Sequence, residues 1–422
     1  MKIGFLGLGK LGLPVAVATA NRGHDVIGYD INDSINSKKH PKEILFSKEC
    51  DEFGKGSINT MIENTKLKIV DDMDSVIEHS EIIFIAIQTP HKKQFEGCDI
   101  MPEEREDFDY SWIISCMKDL SSRIDKLNVT KIVSIISTVL PGTLRKLILP
   151  ITSKKIHLCY NPFFIAMGTV VYDFYNPEIV LLGYIHEEAH KKVIEFYKTI
   201  TNAEVYSTSL ENAEMIKVSY NTFITTKIVL ANNIMEMCNK LPNTNCDEVM
   251  DALKKSDRRL ISKAYLSGGM GDGGGCHPRD NIAMSWLSNK LGIKNNYYDF
   301  IMKKRESQTE FFVDIIEDIK KNNNQLEICI LGMSFKPETN MTIGSPAVLL
   351  KNMLKSKNID CITYDPHLNT ETFDLLPRIY FLGCRHSIFK TYKFHKDSII
   401  IDPFRYINLD NGCKVIKIGV CS

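Results

Sequence analysis

The sequence predicts an α/β protein in three parts: an N-terminal domain on a largely parallel sheet, a helical middle, and a second α/β domain at the C-terminus. Three observations predict it. Apolar runs of about five residues alternate with helix-like segments over roughly the first 200 residues, the βαβ pattern of a parallel sheet. From about Ser209 the hydrophobic period becomes helical. Short apolar runs return after the polar break Lys320-Lys321-Asn322-Asn323-Asn324-Gln325. At 422 residues the chain is long enough for two or three domains, and these breaks divide it at 1–200, 208–321 and 326–422.

Lys2–Leu6 is expected as the first strand. Gly7-Leu8-Gly9-Lys10-Leu11-Gly12 follows, then an apolar helix to about Asn21. Asp25–Tyr29 is the next strand and ends at Asp30, eighteen residues after Gly12. A G-x-G-x-x-G turn between strand and helix, with an acid at that distance, is the dinucleotide fingerprint of a Rossmann domain. The glycines permit the tight turn and let a pyrophosphate approach the helix N-terminus. Gly7, Gly9, Lys10, Leu11 and Gly12 are therefore candidate cofactor residues. Asp30 is expected to accept ribose hydroxyls and repel a 2′-phosphate, which favours NAD over NADP. A glycine-rich turn in an unrelated α/β protein is the alternative.

Further strands are expected at Glu81–Ile87, Lys131–Ile136, His157–Tyr160 and Ile179–Leu182. Ligands sit beyond the carboxyl ends of parallel strands, where Thr89, Pro90 and Thr138 fall. His91–Tyr110 is a long polar segment, either a functional loop or a solvated one. Glu211–Cys238 has helical period without Gly or Pro and predicts a long helix. Lys217 and Asn221, four apart, share one of its faces. Near the C-terminus, strands are expected at Leu326–Leu331, Cys361–Tyr364, Arg378–Leu382, Ser398–Ile401 and Cys413–Ile418, with a helix over Ser345–Lys355.

Composition excludes several classes. Lys plus Arg and Asp plus Glu both number 52, so there is no electrostatic footprint for nucleic acid. The twelve cysteines form no C-x-x-C pair and no metal spacing, and read as reduced thiols of a cytoplasmic protein. No apolar run reaches the ~20 residues of a membrane span. Met1-Lys2 and the apolar run after it imitate a signal peptide, but the glycine spacing and the following strand favour a folded domain.

Gly271-Asp272-Gly273-Gly274-Gly275-Cys276-His277-Pro278-Arg279-Asp280 is the other informative stretch. A cysteine delivered by a glycine-rich loop, with Arg279 and Asp280 beyond it, suits a thiolate nucleophile. An inert buried cysteine on a glycine turn is the alternative.

Six ordered motifs resemble the UDP-glucose/GDP-mannose dehydrogenase family along nearly the whole chain. They are Gly7–Pro14, Ser137–Thr143, Asp173–Pro177, Glu214–Lys227, Gly273–Asp280 and Leu331–Pro337. The resemblance implies oxidation of a nucleotide-activated sugar at C6 from alcohol to carboxylate, with NAD as cofactor. Cys276 then matches the nucleophile, Lys217 the oxyanion-stabilising lysine and Asn221 its hydrogen-bonding partner. Asp280 matches the carboxylate that orders lysine and water, and Thr138 a water-contacting threonine. Arg279 stands where a lysine near the cofactor is usual. Gly273 and Lys336 fall at substrate-binding positions. Arg259 matches an arginine that reaches the neighbouring subunit's substrate, which implies a homodimer or higher homo-oligomer.

Two motifs depart from the family. Its Asn-Pro-Glu-Phe-Leu reads Asn161-Pro162-Phe163-Phe164-Ile165, and a second glutamate is replaced by Met167. Its Asp-Asp-Thr-Arg reads Asn340-Met341-Thr342-Ile343. The expected activity is thus a nucleotide-sugar 6-dehydrogenase, with UDP-glucose the default substrate and surface polysaccharide the destination. The alternatives are a catalytically degenerate NAD- and nucleotide-binding homologue, or a dehydrogenase that stops at the aldehyde.

Overall fold

The computed structural model describes residues 1–32, 35, 49–54, 56–90, 107–166, 168–238, 241–260, 268–271, 288–369, 373–409 and 412–419. They form two compact units, Met1–Thr225 and Thr226–Ser422.

The first unit is built on an eight-stranded sheet in the order β3-β2-β1-β4-β5-β6-β7-β8. The strands are β1 (Lys2–Leu6), β2 (Asp25–Tyr29), β3 (Lys68–Ile69), β4 (Ile82–Ile85), β5 (Lys131–Ile135), β6 (Ile156–Tyr160), β7 (Val180–Tyr184) and β8 (Val205–Thr208). Its helices are α1 (Gly12–Asn21), α2 (Asn59–Glu63), α3 (Met73–His79), α4 (Ser111–Leu127), α5 (Val170–Tyr175) and α6 (Glu187–Ile200). The long helix α7 (Leu210–Cys238) begins in this unit. Side chains alternate between two cores. Ile3 and Phe5 of β1, with Ile82 and Phe84 of β4, pack with α1 and α6 on one face. Leu6, Ile83 and Ile85 pack with α3 and α4 on the other. Burial on both faces is why these strands read as unbroken apolar runs.

β1, β2 and α1 fall where the sequence places them. The parallel pattern does not run through the whole sheet, however: β7 pairs antiparallel with β6. β6 ends at the carboxyl edge of the sheet, and β7 starts there and returns. The connecting segment 161–179, with the short α5, therefore stays at that edge. β8 was not expected, because it is a partly exposed edge strand, Tyr206 included, with no apolar run.

The second unit carries a five-stranded parallel sheet in the order β10-β9-β11-β12-β13. Its strands are β9 (Glu327–Leu331), β10 (Ile362–Tyr364), β11 (Arg378–Leu382), β12 (Ile399–Asp402) and β13 (Lys414–Lys417). The second unit also holds the end of α7, helices α8 (Cys246–Lys254), α9 (Tyr297–Lys321) and α10 (Pro346–Ser356), and a short 3₁₀ turn at Ser387–Thr391. Phe312, Val313 and Ile316 of α9 and Leu350 and Leu354 of α10 cover Ile328, Ile330, Ile379 and Phe381. Cys329, Leu331, Tyr380 and Leu382 face the other core. Among the described residues no helix is long and apolar enough to cross a membrane.

Candidate active site

The order of the eight-stranded sheet reverses at β1: the chain next adds β2 on one side and later β4 on the other. Ligand crevices in open α/β sheets form at such a point. A cleft of about 500 Å³ opens there, lined by Gly9, Lys10, Leu11, Thr89, Pro90 and Thr138. Phe163, Ile165 and Lys217 line it too. The structure thus brings together residues from four separated motifs.

The three glycines of the first turn act differently. Gly7 has φ +97°, and a Cβ on it would lie 2.6 Å from the Ala86 carbonyl oxygen. A Cβ on Gly12 would lie 2.0 Å from the Gly7 carbonyl oxygen. Gly9 has open space where its Cβ would be, which leaves its backbone accessible to a ligand. No acidic side chain occupies the first turn of α1, so the positive end of that helix is unopposed. Asp30 accepts the amide N–H of Leu8 at 2.8 Å and of Asn32 at 2.9 Å. A carboxylate has about four acceptor sites, so it retains capacity for ribose hydroxyls while bracing the glycine turn. These groups fit a dinucleotide.

Thr89 donates its hydroxyl to the Thr138 carbonyl at 2.7 Å, and Ser137 donates to the Ile87 carbonyl. The ends of β4 and β5 are thus locked together by Thr89, a candidate cofactor residue, and by Ser137.

Lys217 is 8% exposed. Its Nζ donates to the Phe163 carbonyl at 2.8 Å and lies 5.2 Å from the centroid of the Phe164 ring. Burial pushes this amine below its ordinary 10.5. One turn earlier on α7, Glu214 is fully buried. Its carboxylate accepts the amides of Gly142 at 2.5 Å and Leu144 at 2.8 Å, and burial raises its pKa despite them. Glu214 thereby anchors the loop that follows Thr138. Sequence reasoning included Glu214 in a motif without giving it a role; an acid three residues before a functional lysine, on an otherwise apolar helix face, was the available signal.

The other expected site residues fall elsewhere. Asn221, one turn beyond Lys217, is exposed. Arg259 is exposed in a turn after α8, and Lys336 is exposed in the loop after β9, both in the second unit. Gly273, Cys276, Arg279 and Asp280 lie outside the described residues, as do Met167 and 91–106 of the acidic segment. At the described end of that segment Phe108 lines the cleft. Asp107 accepts the Tyr110 hydroxyl at 2.6 Å and the Phe108 amide at 2.7 Å. Asp109 accepts the Ser111 amide at 2.8 Å.

Comparison with known proteins agrees with this geometry. Residues 1–201 match the NAD binding domain of the UDP-glucose/GDP-mannose dehydrogenase family, and residues 211–306 match its central domain. The chain is 28% identical over 372 residues to UDP-glucose 6-dehydrogenase TuaD of Bacillus subtilis, covering 86% of this chain and 76% of that protein. It is 26% identical over 378 residues to GDP-mannose 6-dehydrogenase of Pseudomonas aeruginosa, covering 86% and 81%. A crystal structure of a ternary complex of GDP-mannose dehydrogenase from Pseudomonas aeruginosa has the same fold, with TM-score 0.85 and 22% identity over 99% of this chain and 100% of that one. With a Rossmann turn, a cleft at the sheet reversal and family matches over both regions, the chain belongs to the UDP-glucose/GDP-mannose dehydrogenase family, and its cofactor is NAD.

Proposed function

We propose that this protein oxidises C6 of a nucleotide-activated hexose from alcohol to carboxylate, with UDP-glucose as the default substrate and GDP-mannose the nearest competitor. The observation that carries this reading is Lys217, a buried amine opening on the same cleft as Gly9, Thr89 and Thr138. A cation there stabilises an oxyanion beside the cofactor, where low polarity strengthens its effect.

NAD, which Gly7, Gly9, Lys10, Leu11, Gly12 and Asp30 would hold, would supply the hydride acceptor for the two oxidations. Between them the Cys276 thiolate adds to the aldehyde carbon, so the aldehyde is held as a thiohemiacetal rather than released. Loss of the second hydride leaves a thioester. Water then attacks the acyl carbon, the acid departs and the thiol is restored, so that two NAD and one water are consumed per sugar. Lys217 balances the oxygen's negative charge, Asn221 donates to the same oxygen, and Asp280 orders lysine and water. Thr138 contacts the water, and Arg279 lies near the cofactor. Gly273 and Lys336 hold the nucleotide sugar, and Arg259 reaches the neighbouring subunit's substrate. In this reading the NAD domain is 1–200, the cysteine loop belongs to a middle domain at 208–321, and 326–422 binds the nucleotide sugar. Exposed Met215, Phe223 and Ile224 on α7 support a homodimer built on that helix.

The test is a panel of UDP- and GDP-sugars with NAD, counting NADH formed per sugar consumed. Two equivalents support the four-electron reaction. One equivalent favours a dehydrogenase that stops at the aldehyde, and none with any sugar favours a non-catalytic homologue.

A further inference from the structure

At the carboxyl edge of the five-stranded sheet, three loops meet on one buried imidazole. β10 leads into Asp365, the loop after β9 carries Lys336, and the loop after β11 carries His386. The order β10-β9-β11 places a reversal between β9 and β11, so this is the second unit's own switch-point crevice.

Asp365 and His386 are fully buried. One oxygen of Asp365 accepts the amides of Met333 at 2.8 Å and Ser334 at 2.9 Å, with the Ser334 Oγ 2.9 Å away. Burial pushes this carboxyl upward, but bonds from His386 and three backbone amides outweigh it and hold the group well below the usual carboxylate range. His386 Nε2 lies 3.2 Å from the same oxygen, and Nδ1 accepts the Glu338 amide N–H at 3.0 Å. A carboxylate only accepts and an amide N–H only donates. The proton of His386 therefore sits on Nε2, and its lone pair faces Glu338.

Glu338 has φ +58°, a left-handed conformation that a residue with a side chain adopts at a cost. Its side chain is tied down as well: Oε1 accepts the Ser387 amide at 2.6 Å, and Oε2 lies 3.1 Å from His367 Nε2. The turn is closed from within by Ser334 Oγ to the Thr339 carbonyl at 2.6 Å and Thr339 Oγ1 to the Lys336 carbonyl at 2.8 Å. Lys336 stands exposed between these anchors.

We propose that His386 is a positioning residue that latches the 335–339 turn through the Glu338 amide and so fixes Lys336 for the nucleotide sugar. The part concerning Lys336 rests on the function proposed above. Glu338, His367 and His386 also bring potential ligand atoms within 4.8 Å of one another, a spacing that suits a divalent cation. The hydrogen bonds favour the latch, since Nδ1 already faces an amide N–H and Nε2 already carries a proton toward Asp365.

Two substitutions separate the two bonds of the ring. His386→Asn keeps an acceptor near the Nδ1 position. His386→Gln keeps a donor toward Asp365 but gives up the Glu338 amide. His386→Gln should raise KM for UDP-glucose or GDP-mannose roughly tenfold, the scale of one lost hydrogen bond, with kcat and Tm close to wild type. His386→Asn should stay within about twofold, again within the scale of a retained bond. In a Lys336→Ala background His386→Gln should add nothing further. An unchanged KM in His386→Gln, or the same increase with and without Lys336, overturns the proposal. If the wild type oxidises neither sugar nucleotide, the proposed function fails, and the latch is read from amide hydrogen exchange instead. The peptide over 333–342 should lose protection in His386→Gln and keep it in His386→Asn. Equal protection in both overturns the latch, as does stoichiometric Zn²⁺ binding that His386→Gln abolishes. Exchange is measured on the purified folded fraction, with core peptides such as 327–331 as the internal reference, so a low yield of either variant leaves this test intact.

Discussion

Lys217 Nζ donates to the main-chain carbonyl of Phe163 at 2.8 Å. The position where the family carries a glutamate therefore seats the lysine through its backbone, whatever its side chain. The Phe163 ring turns to Phe174, at 5.7 Å between centroids. The lysine is in place, while the side chain beside it accepts no proton.

Deacylation is predicted to limit turnover. General-base catalysis is typically worth ~10²–10⁴-fold, and Phe163 offers none. The wild type should show a burst of up to two NADH per site and then a slower steady rate, with a covalent adduct that hydroxylamine removes. Phe163→Glu should raise the steady rate by roughly a hundredfold, the lower end of that range, and abolish the burst. Linear progress curves with no adduct by intact mass, on a sugar that is turned over, would place water activation elsewhere.

Lys217 is predicted to set the alkaline limit of activity. Burial lowers its pKa from 10.5, and the charged form is the one that stabilises an oxyanion. The rate should fall as pH rises through that lowered value, before pH 10.5 is reached. Lys217→Arg keeps its charge to higher pH, so its residual activity should show no such limb. The same limb in both enzymes would assign it to another group.

Glu214→Ala should destabilise the protein by about 2–4 kcal/mol, because two amides lose their acceptor. Glu214→Gln should cost less and should also alter the pH dependence of stability. The folded carboxyl titrates above its ordinary 4.5. Its contribution is fully present below pH 4.5 and is lost as pH rises through the folded value. Denaturant midpoints across pH 4–7 should show that slope in the wild type and not in Glu214→Gln.

Asp30 should give NAD at least roughly tenfold preference over NADP, about 1.4 kcal/mol. Asp30→Ala should weaken NAD more than NADP. It also removes the acceptor for the Leu8 amide, so some loss should appear with both cofactors. Equal kinetics with both in the wild type would refute the assignment.

Assembly is testable on α7. Met215 is 53% exposed and Phe223 50%, eight residues apart on one side of a helix. Sedimentation at micromolar concentration should show at least a dimer, and Met215→Glu with Phe223→Glu should shift it toward monomer. A wild-type monomer would sink the dimer.

The N-terminal fold was legible because its rules are local. Gly7, Gly9, Gly12 and Asp30 sit within 24 residues, each fixed by turn geometry or strand end. Strands such as β4, buried on both faces, announce themselves as Ile-rich runs. The reversal of β7 was not legible, since the direction in which a strand is re-entered depends on where the connecting segment packs. The Lys217–Phe163 bond and the His386–Asp365 pair span 54 and 21 residues. They join residues whose spacing carries no period, and only the fold brings them together.

Because β7 turns back at the edge where β6 ends, Phe163 and Ile165 reach the cleft from beyond the last rung between β5 and β6, which Asn161 makes by donating its amide N–H to the Ile135 carbonyl at 2.8 Å. A side chain there is free to change chemistry without disturbing the register of the sheet beneath. The scaffold passes on a lysine seat through the backbone of residue 163, while in the proposed reaction the speed of the last step would rest on one replaceable side chain. A descendant of this backbone can thus keep the grip on its oxidised intermediate and lose, or regain, the haste with which it lets go.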